Sequence, residues 1–191
     1  MKTNFKIKDR IDALLMRMAA SIMRFKIVAT YEWECYDKFG NLKWRDCNHN
    51  ICTDEGLNRL LDVMFHGTTQ IATWYIGLFE SDTTPAAGTT YATPVFTEST
   101  AYDEATRPAF NEAAASSKVT TNSANKAVFT MNDTKTIYGA FLCGGGTDPN
   151  TKGDTAGGGV IFNAAQFASG SKSVVDDDVL NVTVTLTAAD A

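Results

Sequence analysis

The chain has 191 residues, 44% hydrophobic and 20% charged, with a formal net charge of −5; that suffices for one domain with a real core and an appendage, but not for two full domains. Its apolar runs fall well short of the roughly 20 residues of a membrane-spanning helix, which excludes such a helix. The charge is uneven, because residues 1–26 carry Lys2, Lys6, Lys8, Arg10, Arg17, Arg24 and Lys26 against Asp9 and Asp12, so a basic arm precedes an acidic body.

Within the arm, Ile11, Leu15, Met18, Ile22 and Phe25 recur at alternating spacings of four and three, while Arg10, Arg17 and Arg24 follow a second stripe. This is the pattern of an amphipathic helix. Two heptads are too short for an independent coiled coil, so the stripe needs apolar surface on its own body, a sister subunit or a partner. The expected domains are a helical arm at 1–25 and a β-sandwich at 26–191, with a helix at about 53–66 inserted. Asp9, Asp12, Arg17 and Arg24 interrupt any secretory apolar stretch. A reducing cytoplasm and four free cysteines are therefore expected.

From residue 26 the period shortens. "KIVATYEWECY" is β-branched and aromatic, "DKFGN" offers a turn with Gly40 suited to positive φ, and "LKW" resumes the strand, predicting a hairpin over about 26–47. Thr53 or Asp54 then caps a helix predicted to bury Leu57, Leu60, Leu61, Met64 and Phe65 and to stop at Gly67. Beyond it the chain reads as all β. "ATWYIGLFE", "KAVFTMN", "TIYGAFLCG", "GGVIFNAAQF" and "DVLNVTVTLTA" are short, rich in β-branched and aromatic residues, and divided by turn formers. Successive strands without helical periods between them favour an antiparallel, jelly-roll-like β-sandwich with one packed helix. Two long loops, "SDTTPAAGTTYATP" and "GGGTDPNTKGDTAGGG", are expected to be functional or ordered by a neighbour, the second read as a flexible connection.

The chemical candidates are few. Cys47-x-His49-x-x-Cys52 matches no paired zinc knuckle, and Cys52 stands at the wrong offset to share a strand face with Cys47 and His49. With Cys47 opposite roughly Tyr31 and Cys35 opposite roughly Lys43, the two cysteines lie on the order of 13 Å apart, too far for a disulfide. Lys152 is not followed by Ser or Thr in a phosphate-loop spacing, and Asp148, Asn150 and Asp154 lack the downstream Glu of a calcium loop. Asp103 with Glu104, and Asp176 to Asp178, read as solvated charge. No catalytic residue, metal or cofactor is expected. Trp33, Trp44, Trp74, Tyr75 and Phe79 lie on strand patterns in an acidic body, so neither nucleic acid nor a membrane is an expected partner.

The order "YDKFGNLKW", "HNICTDEGLNRLLDVMF", "WYIGLFE", "YDEATRPAF", "TIYGAFL" resembles uncharacterised structural proteins of tailed bacteriophages over about residues 26–187. The resemblance implies a non-enzymatic virion component, similar in kind to capsid decoration or cement proteins, with a tail, neck or head-fibre adaptor as the alternative. The expected protein is a homotrimer on the surface of the capsid, made in the host cytoplasm and bound to the major capsid protein. Its partner-binding residues are expected to be Ile11, Leu15, Arg17, Met18, Ile22, Arg24 and Phe25, with loops 81–97 and 144–159 adding contacts. A membrane-surface protein using the arm and a metal enzyme built on Cys47, His49 and Cys52 are the competing classes.

Overall fold

A computed structural model describes residues 25–50 and 52–190. Of the arm, Ile11, Leu15, Arg17, Met18, Ile22 and Arg24 lie outside the described residues. Phe25 does not close the helical stripe, because its backbone already opens strand β1, paired with Asp190.

The architecture is mainly β, antiparallel and sandwich-like, with one described helix. β1 (Phe25–Tyr36) and β2 (Leu42–Asn50) form the expected hairpin. Its turn is held by the Asp37 carboxylate, which accepts from the amides of Phe39 and Asn41, while Gly40 takes φ +80°. β1 then pairs along its whole length with β11 (Val179–Asp190), so the first and last described strands are neighbours. The far edge of β11 is shared by β5 (Val119–Thr121) and β6 (Ala127–Thr130), completing a five-stranded sheet. A four-stranded sheet runs in the order β4 (Glu98–Ser99), β3 (Trp74–Phe79), β8 (Gly139–Gly144), β9 (Val160–Gln166). β7 (Lys135–Ile137) and β10 (Lys172–Val174) make a separate two-stranded ladder.

Alternation places Ala29, Tyr31, Trp33 and Cys35 of β1 with Leu180, Val182 and Val184 of β11 on one inner face, against Ile76, Leu78, Ala140 and Leu142 of the other sheet. Tyr31 donates across this interior to the Asn163 side chain of β9, so the two sheets share a polar tie as well as an apolar core. The four-stranded sheet is buried on its second face too, where Phe79, Phe141, Cys143, Ile161 and Ala164 meet Tyr91 and Phe96 from the 81–97 loop. β8 is buried at every position for this reason, and its run "GAFLCG" shows no polar alternation.

The hairpin register differs from expectation by one residue. Cys47 lies opposite Glu32 and Cys35 opposite Trp44, because a bulge between Cys35 and Tyr36 takes up one residue. Trp33 and Trp44 consequently share the inner face, and both meet the Phe167 ring edge-on, at 4.8 and 5.4 Å between centroids. The short strands β4, β5 and β10 were not expected from the sequence, since two or three residues carry no visible period.

The helix α1 (Asp54–Phe65) begins where the sequence places it: the Thr53 hydroxyl accepts from the Gly56 amide at 2.9 Å and donates to Ile161 O. Its buried side is narrower than expected. Leu57 and Leu60 are half-buried against the core, but Leu61, Met64 and Phe65 are 54%, 64% and 82% exposed. The helix meets β9 through Gly56, where a Cβ would lie 2.6 Å from Phe162 O and 2.7 Å from Phe162 Cα. Contact at that single small residue turns the adjacent stripe of larger side chains outward. Helix propensity alone predicts that Gly56→Ala stabilises the protein by about 1 kcal/mol. The backbone clash reverses the sign, and we expect a loss of about 1–3 kcal/mol in urea denaturation; a raised midpoint would contradict this packing.

Candidate functional site

The structure separates the Cys47, His49 and Cys52 set. Cys47 and His49 face outward on β2, where His49 Nδ1 lies 2.9 Å from the Thr30 hydroxyl, while Cys52 is buried at a bridge to Asn163. No group of three metal-binding side chains occurs among the described residues. Burial raises the thiols of Cys35 to about 12, Cys52 to about 11 and Cys143 to about 12, and it also raises Cys47, helped by Glu32. Each therefore stays protonated near neutral pH and is a poor nucleophile.

The densest polar constellation centres on Arg107, which is 2% exposed and was not singled out from the sequence. Its guanidinium grips Glu98 with two nearly parallel bonds, Nε to Oε1 at 2.7 Å and Nη2 to Oε2 at 2.6 Å. Nη1 donates to the Tyr91 hydroxyl at 2.9 Å and to Pro149 O at 2.8 Å, and Nη2 donates to Asp154 O at 3.0 Å. All five N–H groups of the fork thus have acceptors. Burial opposes the charged form of Arg107, but the bonds it donates to Glu98 and Tyr91, with the nearby Glu98 charge, outweigh it and hold the pKa above its ordinary value. Tyr91 is raised by burial and passes its own proton donation to Asp154 Oδ2 at 2.7 Å.

These contacts fasten both long loops. Tyr91 belongs to the first, and Pro149, Gly153 and Asp154 to the second, with the Gly153 amide donating to Glu98 Oε2 at 2.8 Å. The Arg107 amide donates to Asn150 O at 2.8 Å, and Lys152 Nζ donates to Tyr102 O at 2.8 Å. The glycines complete the fit, since a Cβ on Gly159 would lie 2.8 Å from the Tyr91 ring. Loop 144–159 is thus tied to its own chain rather than a flexible connection. Asp154 does not present free carboxylate oxygens for calcium: they accept from Tyr91, Ala156 and Gly157. A cleft of about 310 Å³ remains between Phe96, Glu98, Arg107 and Thr155.

Two carboxylates expected in solvent are also structural. Asp178 is 1% exposed, pairs with Lys43 and accepts from the Val175 amide, and Glu104 accepts from the Thr130 amide with both oxygens at 3.1 Å. The sequence does hold a signal for Arg107: it is the sole arginine after Arg59, in the apolar-flanked "TRPAF". No helix among the described residues is long and apolar enough to cross a membrane. No family model and no curated protein matches the chain.

Replacing Arg107 by Met leaves the Glu98 carboxylate buried without its partner, and we expect a loss of about 3–5 kcal/mol in chemical denaturation. Lys in its place cannot form the fork and should rescue little, whereas Arg107→Met with Glu98→Leu should recover part of the loss. Limited proteolysis of the single variant should cut within 81–97 and 144–159, and an uncleaved variant would refute the brace.

The bond from Tyr91 is the main influence that holds Asp154 below its ordinary value of 3.8. A carboxylate depressed in the folded state contributes stability above the unfolded pKa and loses it as pH falls through the lower folded value. We therefore expect amide protection across 144–159 to be constant above about pH 4 and to fall below it. Asp154→Asn should flatten that response; an unchanged acid profile would assign it to other carboxylates.

Proposed function

We propose that the chain is a non-enzymatic structural protein of a tailed-bacteriophage virion, a capsid decoration or cement protein. In this reading it is made in the host cytoplasm and sits as a homotrimer on the lattice of the major capsid protein. The observation that carries the reading is the closure of polar chemistry around Arg107. A fully satisfied guanidinium, protonated thiols and inward-turned carboxylates suit a rigid contact surface better than a turnover site, where groups must stay free to meet a reacting atom. The two braced loops offer a preorganised polar rim, which lowers the ordering cost of docking.

The segments that resemble phage structural proteins carry this architecture. "WYIGLFE" spans β3, "YDEATRPAF" holds Arg107, and "TIYGAFL" runs through β7 into β8. Mass spectrometry of purified particles tests the role. A copy number comparable with that of the major capsid subunit is expected; a small number matching the tail symmetry would make the chain a tail, neck or head-fibre adaptor, and its absence from particles would refute a virion role.

A further inference from the structure

The outward side of α1 exposes three large apolar side chains, Leu61, Met64 and Phe65, beside the carboxylates of Asp54 and Asp62. Beside Leu61, Met64 and Phe65 lies a cleft of about 330 Å³ walled by Leu60, Val63, Ile71, Trp74 and Leu186. Arg59 stands in the same wall, with Nη2 donating to Thr69 O at 3.0 Å and Nε buried without a partner. Single exposed apolar side chains are ordinary, but a patch joined to a cleft marks a contact site.

The start of the described chain indicates what covers it. The Cys52 thiol approaches Ile27 O at 3.8 Å, and Lys26, Ile27 and Val28 line a second cavity together with Leu57, near the N-terminal end of α1. β1 therefore begins beside the first turn of the helix. If helical, the stripe from Ile11 to Ile22 spans roughly 16 Å, against roughly 18 Å for the twelve residues of α1. Charge agrees with length. α1 exposes Asp54 and Asp62, roughly 12 Å apart along its axis, and Arg17 and Arg24 would stand roughly 10.5 Å apart along theirs. A second α1 packed on this face would instead bring like charges together.

We propose that Ile11, Leu15, Met18 and Ile22 seat on the exposed face of α1 in the same chain, antiparallel to it, with Arg24 toward Asp54 and Arg17 toward Asp62. The short connection from Ile22 to Phe25 keeps the stripe at high effective concentration beside this face. In the free protein the arm then makes a contact within its own chain, in place of the neighbour latch that its sequence suggests. The seat does not depend on a virion role.

The test uses the full chain with a photo-reactive residue in place of Met18, as an equal mixture of unlabelled and ¹⁵N-labelled copies. Illumination should join position 18 to α1 within isotope-matched chains. The product should be lost in Leu61→Glu/Met64→Glu and diminished in Asp62→Lys, a surface change that leaves the apolar face intact, while strand amides keep native protection in both. Isotope-mixed products would place the stripe on a second copy and overturn the proposal. Products elsewhere on the body, or a yield unaffected by either variant, would overturn it as well.

Discussion

A guanidinium cannot be taken out of water unless acceptors surround it, and the region around the four-stranded sheet is arranged to meet that demand at Arg107. One carboxylate, one phenol and two backbone carbonyls, drawn from the stretches 91–98 and 149–154, converge on its fork. The loops at 81–97 and 144–159 thereby become a cover for the second face of the sheet. With that face closed, Phe79, Phe141 and Ile161 form a core of their own. The loop layer over an otherwise two-sheet sandwich is held by this one buried charge together with the apolar packing of Tyr91 and Phe96.

The other organising contact is the ladder between β1 and β11. Pairing the first and last described strands gives the five-stranded sheet a long central pair, to which the shorter β5 and β6 attach at separate stretches of one edge. Pairing such distant segments costs loop entropy, which the cores on either side of the four-stranded sheet must offset. The polar tie between layers, Tyr31 to Asn163, adds direction to an otherwise apolar interface, while Lys43 to Asp178 ties β2 to the start of β11 within the five-stranded sheet. Together they give a rigid body whose unusual surface features lie at its periphery: a braced polar rim and a partly bare helix.

Much of the fold was legible in local pattern. Alternation in "DVLNVTVTLTA" identified β11, Gly40 after Asp37 marked the hairpin turn, and Thr53 or Asp54 marked the helix start, because each rests on forces acting within a few residues. The candidate site was less legible. Asp178 and Glu104 read as solvated because charge near turn formers usually is, and only the positions of Lys43 and the Thr130 amide make them structural. Tyr91, Glu98, Arg107 and Asp154 share no period, so no spacing rule could have joined them.

The sequence by itself determined the class of fold, the hairpin, the cap of the helix and the strands long enough to show a period, since these follow from backbone preference and the separation of apolar from polar side chains. Tertiary structure alone decided the one-residue bulge that turns Trp33 and Trp44 to the same face, the outward Leu61, Met64 and Phe65, and the four-residue convergence on Arg107. The physical reason is the range of the forces involved: the approach of Gly56 to the Phe162 backbone and the need to surround a buried charge are set by segments that meet only when the chain has folded.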